Sequence, residues 1–296
     1  MSHAHSAARA GRSRLLAVFV VTLVVLIVEV IGGLVANSLA LLADAGHMFT
    51  DVVGIGLALG AIWMAGRAPD RSRTFGYLRL EILAAVMNAV LLFGVAAFVL
   101  FQAWRRLSEP AEISSGVMLG VALIGLVANG VSLYLLREGQ TSSLNMRGAY
   151  LEVMGDLAGS GAVILAAIVI AATGWTQADA VASAAIGLLI LPRTYGLLRE
   201  AVDVLLEATP RGLDMSQVRS HILEAPGVSD VHDLHAWTIT SGLNVVSAHV
   251  VLAPEADAPA VLDHLCACLT GIFDIEHSTF QLETADRRRL EEIGHA

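Results

Sequence analysis

His47 and Asp51 stand four residues apart in the apolar stretch LLADAGHMFTD (residues 41–51), and Glu152 and Asp156 repeat that spacing in AYLEVMGDLAGSG (149–161). On a helix, residues i and i+4 stack on one face, one turn above the other. An ionisable side chain at mid-membrane costs about 2.5–3.5 kcal/mol on insertion scales, so four cost on the order of 10 kcal/mol. Packing alone has no use for that cost. A shared divalent cation does, because it neutralises carboxylates and occupies their lone pairs. Two ligands from each of two helices close a tetrahedral shell. One imidazole with three carboxylates suits zinc or a similar first-row metal better than calcium, which takes more oxygens. The competing reading is two unrelated polar pairs bonding to neighbouring helices; the shared spacing and depth of the pairs favour the metal.

Other polar residues lie at similar depth. Asp44, one turn before His47, reads as a group that orients a ligand or packs the helix. Glu29 and Asn129 read as hydrogen-bonders between helices, and Asp179 as a carboxylate at a helix N-terminus.

The elements that must position these residues are membrane spans. The 296 residues are 56% hydrophobic and 15% charged, with a mean hydropathy of +0.70, where a soluble domain is about a quarter charged. A net charge of −9 without any basic run does not point to a nucleic-acid binder, and none is expected as a partner. Six windows have the length and apolarity to cross a bilayer, at 15–36, 39–65, 80–104, 115–136, 148–172 and 178–198. The first apolar run lacks a convincing cleavage site and continues past a signal peptide's length, so it reads as a retained span. His3 and His5 fall in a tail expected to be irregular. Arg9, Arg12 and Arg14 precede the first span, and Arg67, Arg71, Arg73 and Arg79 follow the second. Arg137 and Arg147 follow the fourth, and Arg193 and Arg199 close the sixth, whereas the opposite linkers hold only Arg105 and Arg106. By the positive-inside rule both termini are expected in the cytoplasm.

After about residue 208 the pattern changes to that of a small α+β domain. LDMSQVRSHILEAPG opens on Asp214 with Gln217 three later and stops at Pro-Gly, the marks of a helix. VSDVHDLHAWTI reads as a strand, and LNVVSAHVVL and HSTFQLE alternate as strands do. Between the last two, APAVLDHLCACLTGIF is amphipathic, with Val261, Leu265, Leu269 and Ile272 on the expected buried stripe. Cys266 and Cys268, two apart on that helix, point to different sides and cannot chelate together. The expected order is α-β-β-α-β. The expected domains are a cytoplasmic tail (1–14), a six-helix transport domain (15–207), a cytoplasmic metal-binding regulatory domain (208–284) and a C-terminal tail (285–296).

The stretches NSLALLADAGHMFTD, TFGYLRLEILAA, SLNMRGAYLEVMGD and HDLHAWTI … IEHSTFQLE resemble, in order and spacing, the cation diffusion facilitator family, particularly its bacterial zinc-efflux branch. The resemblance runs from about residue 14 to 284. It implies a homodimeric antiporter of divalent metal and protons in the bacterial cytoplasmic (inner) membrane, with Zn2+ as substrate, no organic cofactor and a ferredoxin-like cytoplasmic domain. It assigns the transport site to His47, Asp51, Glu152 and Asp156. It also places His232, His249, His264 and Glu283 where family members bind cytoplasmic metal at the dimer interface, Zn2+ then serving as a regulatory ligand. Metal binding there is expected to draw the subunits together.

One position of the transport site departs from the family pattern, and others depart outside it. The efflux branch usually carries histidine where this chain has Glu152, which hardens the site and could admit Cd2+, Co2+, Mn2+ or Fe2+ more readily. Gln281 stands where a further histidine is sometimes found. In the linker RAPDRSRTFGY, Asp70 remains, but Arg73 and Tyr77 replace the histidines of the family's second site, so no metal is expected there. His235 and His277 are expected in structural hydrogen bonds. The rival class is an intramembrane metallohydrolase, against which stand the missing His-Glu-x-x-His motif and a ligand shell without an open position for water. A passive channel and a sensor without transport complete the alternatives.

Overall fold

The structure, a computed structural model, describes residues 2–137, 144–275 and 277–288. Among them six helices are long and apolar enough to span a bilayer: α1 (Ser2–Ala36), α2 (Leu39–Ala65), α3 (Leu80–Ser108), α4 (Ser115–Leu136), α5 (Leu144–Thr173) and α6 (Gln177–Leu205). Leu34, Phe98, Leu123 and Leu165 stand exposed on them, the outward face that acyl chains cover. The buried face is built largely of small residues: Ala40 and Ala43 of α2, Ala122 of α4, and Ala166 and Ala167 of α5, with Val99 of α3 and Ile186 of α6. Small side chains let helix backbones approach closely, which is how helices associate in lipid.

Three helix ends meet at one buried carboxylate. Asp179, in the first turn of α6 and fully buried, accepts the Ser38 hydroxyl at 2.6 Å and the N–H groups of Leu39 and Ala40 at 2.8 and 3.1 Å. Arg106 of α3 donates to Asp179 at 3.4 Å and to the Asn37 carbonyl at 2.7 Å. Asn37 makes the turn between α1 and α2 in the left-handed region (φ 52°), which asparagine tolerates better than most residues.

Two boundaries differ from expectation. The helical backbone of α1 runs back to Ser2, where an irregular tail was expected; the stretch AARAGRSRLL holds good helix formers and no proline, so nothing stops the helix there. α6 runs to Leu205, so Arg193 lies inside the helix rather than closing it. The sixth span was expected to close near residue 198, but the apolar positions of YGLLREAVDVLL carry the helix onward.

The C-terminal region follows the order expected: α7 (Met215–Leu223), β1 (Val228–Thr240), β2 (Leu243–Leu252), α8 (Ala258–Phe273) and β3 (His277–Glu283). β1 pairs antiparallel with β2, and β2 pairs parallel with β3 across the α8 crossover. Val218 and Ile222 of α7, Val246, Ala248 and Val250 of β2, and Val261, Leu265 and Leu269 of α8 form the core. The stripe expected on α8 breaks at its end: Ile272 is 60% exposed, and Ile275 is fully buried instead. Asp274 adopts φ 56° and turns the chain back, so that the Ile275 N–H reaches the Leu269 carbonyl and its side chain fills the core.

The chain divides into two compact units, Met1–Leu57 with Met87–Leu198, and Ala58–Val86 with Arg199–Ala296. Within the second unit, Glu81 at the start of α3 accepts the hydroxyls of Thr240 and Ser241 at the β1–β2 turn. Arg79 pairs with Glu207 at 2.7 Å, and the Phe75 ring meets the His277 ring edge-on.

Candidate metal centre

The first unit holds the centre that the paired spacing points to. α2 begins at the Asp179 cap and carries His47 and Asp51 on one face; α5 carries Glu152 and Asp156 on another. All three carboxylates turn toward His47 Nε2: Asp51 Oδ2 at 3.6 Å, Glu152 Oε1 at 3.7 Å and Asp156 Oδ1 at 4.0 Å. Around a tetrahedral zinc with bonds near 2.0–2.1 Å, ligand atoms stand about 3.3 Å apart; His47, Asp51 and Glu152 offer ligand atoms within 4.8 Å of one another, and Asp156 lies beside them at 4.0 Å from His47. Glu152 Oε1 and Asp156 Oδ1 have no hydrogen-bond partner among the described residues, which leaves their lone pairs for a cation. A cavity of about 340 Å³ adjoins the cluster and is lined by Asp44, His47, Asp51, Asn88, Arg193 and Thr194 among others.

Asp44 lies behind this cluster, buried and close against α5. A Cβ on Gly159 would sit 2.7 Å from its Oδ1, so any larger residue there would have to displace the Asp44 carboxylate. Glu29 of α1 packs likewise on Gly125 of α4, where a Cβ would meet its Oε1 at 2.7 Å. The structure departs here from the sequence reading: both Glu29 oxygens and the Asn129 amide nitrogen have no hydrogen-bond partner among the described residues.

Sequence reasoning missed Arg193. Its Nη2 donates to Glu152 Oε2, the carboxylate oxygen turned away from His47. The available signal was a charged residue well inside the apolar window 178–198, which also holds Asp179 near its start.

The second unit holds a separate cluster. His232 of β1 and His249 of β2 are direct cross-strand partners, with ring centroids 5.0 Å apart. Buried Glu283 of β3 meets both, Oε2 at 3.3 Å from His232 Nε2 and Oε1 at 2.9 Å from His249 Nδ1. The three offer ligand atoms within 4.8 Å of one another. Gln281 donates to Glu283 Oε1 at 2.5 Å. His264, assigned with these three by resemblance, does not join them; it lies on the exposed face of α8, because the buried stripe there belongs to Val261 and Leu265.

Asp233, which sequence reasoning also missed, does approach: its Oδ2 lies 3.3 Å from His232 Nδ1 and 4.0 Å from His249 Nδ1. Its φ of 45° and the register shift between His232 and His235 mark a bulge that re-aims it. Asp70, in the linker after α2, accepts the hydroxyl and N–H of Ser72 at 2.6 and 2.7 Å. Those bonds hold its carboxyl below the usual carboxylate range.

Comparison with known proteins places this geometry in context. Residues 15–206 match the family model described as the cation efflux transmembrane domain, and residues 210–285 that of the cation efflux protein cytoplasmic domain. The chain is 47% identical to the cation efflux system protein CzcD of Alcaligenes sp. strain CT14 over 274 residues, 91% of this chain and 86% of the relative. It is 40% identical to the zinc transporter ZitB of Escherichia coli over 288 residues, 95% of this chain and 92% of the relative. It is also 40% identical to the cadmium, cobalt and zinc/H(+)-K(+) antiporter of Bacillus velezensis over 291 residues, covering 96% and 93%.

Proposed function

This chain belongs to the cation efflux family, a multi-pass membrane transporter of divalent metal rather than an enzyme, and we propose that it exchanges cytoplasmic Zn2+ for protons. The observation that carries the reading is the convergence of Asp51, Glu152 and Asp156 on His47 Nε2 from two helices within the apolar unit. A divalent ion cancels much of the negative charge gathered there. When the ion leaves, bare carboxylates in a water-poor site are costly, and protons are the cations at hand to replace it. Alternating access then follows: metal enters from the cytoplasm, displaces protons at the four-residue site, and leaves on the far side as protons return. The names of two relatives, a zinc transporter and an antiporter of cadmium, cobalt and zinc with protons and potassium, support both the metal and the exchange. Three carboxylates against one imidazole favour a second reading, in which the site also accepts Cd2+, Co2+, Mn2+ or Fe2+.

The arginines of the linkers support a cytoplasmic-membrane topology with both termini inside. His232, His249 and Glu283, with Asp233 beside them, are the candidates for a regulatory metal in the C-terminal domain, and His264 on the open face of α8 is free to complete a site in a homodimer. Proteoliposomes with an imposed pH gradient test the main claim. Uphill Zn2+ movement that follows the gradient and vanishes in His47→Ala and Asp51→Asn is expected. Zinc flux indifferent to the gradient would leave a channel; zinc binding without flux would leave a sensor.

A further inference from the structure

We propose that Arg193 is the specificity-determining partner of Glu152: its guanidinium offsets the third carboxylate of the cluster, so that the metal meets two net negative charges rather than three. The inference rests on the transport reading of that cluster. Three ionised carboxylates, Asp51, Glu152 and Asp156, exceed the charge of a divalent ion by one. Among the described residues lining the adjoining cavity, Arg193 is the one arginine, and it bonds to one of those three. An imidazole at position 152 would bring no charge and need no such partner.

The geometry divides the work of the Glu152 carboxylate. Oε2 accepts from Arg193 Nη2, while Oε1 faces His47 Nε2 at 3.7 Å. The guanidinium thus keeps one oxygen for itself and presents the other to the ion, which restricts Glu152 to a single bond to metal. Single bonds from four residues suit a small ion of low coordination number, whereas paired oxygens suit larger, harder cations. The next residue fixes the turn of α6 that presents Arg193: Thr194 is buried, and its hydroxyl donates to the Ile190 carbonyl at 2.9 Å. Arg193 therefore acts through Glu152, as a positioning residue that sets both the charge and the denticity of the site.

The test uses the full chain, with Zn2+ affinity read in detergent by competition with a chromophoric chelator, and flux read in proteoliposomes. Arg193→Gln exposes the third negative charge, so Zn2+ binds about tenfold tighter and leaves more slowly, and KM and kcat fall together. Glu152→His leaves Arg193 facing the ion unpartnered, and affinity drops by about tenfold. The double variant brings affinity back toward the wild-type value, because the gain from removing the guanidinium offsets the loss at position 152. Arg193→Lys keeps the charge and holds affinity within about threefold, but without the planar fork it loosens discrimination of Zn2+ from Mn2+. The inference is overturned by an Arg193→Gln protein whose KM and kcat both stay within twofold of wild type. It is equally overturned by a double variant that binds Zn2+ no tighter than Glu152→His alone, or by Arg193→Lys behaving as Arg193→Gln does. A wild-type protein that neither binds nor moves zinc sinks the transport reading with it; wild-type flux beside an indifferent Arg193→Gln sinks this inference alone.

Discussion

Asp179 at the start of α6 accepts the backbone N–H groups of Leu39 and Ala40 at the start of α2, so a side chain of one helix caps another. The cap is buried, and each N–H it satisfies would otherwise be an orphan in an apolar surrounding. Because α2 carries His47 and Asp51, the same contact sets the height of both side chains. Asp179→Ala should cost about 2 kcal/mol and lower zinc flux along with thermal stability in detergent. Asp179→Asn, which still offers an oxygen to the helix start, should lose less on both counts. Equal thermal midpoints for wild type and Asp179→Ala would mean that the cap contributes nothing.

How much of this was legible beforehand depends on the range of the interaction. Spans, strands and the i, i+4 pairs are local patterns, and local patterns are written in the order of residues. His47 and Asp51 share a helix face whatever surrounds them. The Asp179 cap joins residues 140 apart, and composition says only that a carboxylate at a helix start is favourable, not which helix it serves. Ile272 and Ile275 were exchanged in the core because one residue, Asp274, enters the left-handed region, a choice that depends on the packed end of α8. Asp233 escaped notice for a related reason: a bulge breaks the alternation by which strand faces are read. Arg193 was visible as a charge, but its partner lies on a different helix and no periodicity links the two.

Gly159 makes a sharper prediction than most glycines. A methyl group there would stand 2.7 Å from Asp44 Oδ1, whereas one on Gly161 meets nothing within 4 Å. Gly161→Ala should be neutral or stabilising by up to about 1 kcal/mol, as alanine is the better helix former. Gly159→Ala should cost about 1–3 kcal/mol through overpacking and weaken zinc binding, since Asp44 is displaced one turn from His47. Comparable melting of the two variants would show that α2 and α5 do not approach as closely as described.

Acid should act on the start of α7. The Ser216 hydroxyl and N–H both bond the Asp214 carboxylate, at 2.5 and 2.9 Å, and these bonds hold its pKa below the usual range. A depressed carboxyl stabilises the fold fully above its unfolded pKa, and that contribution is lost as pH falls through the lower, folded value. The amide resonance of Ser216 should therefore titrate with a midpoint below the ordinary aspartate value of about 3.9. In Asp214→Asn the transition should disappear while the helix remains, because asparagine caps as well as aspartate. A midpoint at or above the ordinary value would contradict the capping geometry.

The C-terminal cluster should bind metal through an arrangement in which Gln281 matters without touching the ion. Glu283 is buried at the centre, facing His232 with one oxygen and His249 with the other, and Gln281 donates to the oxygen nearer His249. A ligand held by such a partner typically loses about 10–100-fold in metal affinity when the partner is removed. In a full-length protein whose transport site is disabled by Asp51→Asn and Asp156→Asn, Zn2+ binding should persist and Gln281→Ala should weaken it by about tenfold. Glu283→Gln should abolish it, because the amide carries no charge to offset the ion. His264→Ala should leave the affinity of an isolated protomer unchanged, since His264 lies on the open face of α8 away from the other three. A loss of binding in His264→Ala as large as that in Glu283→Gln would require α8 to turn that residue toward the sheet, against the burial of Val261 and Leu265.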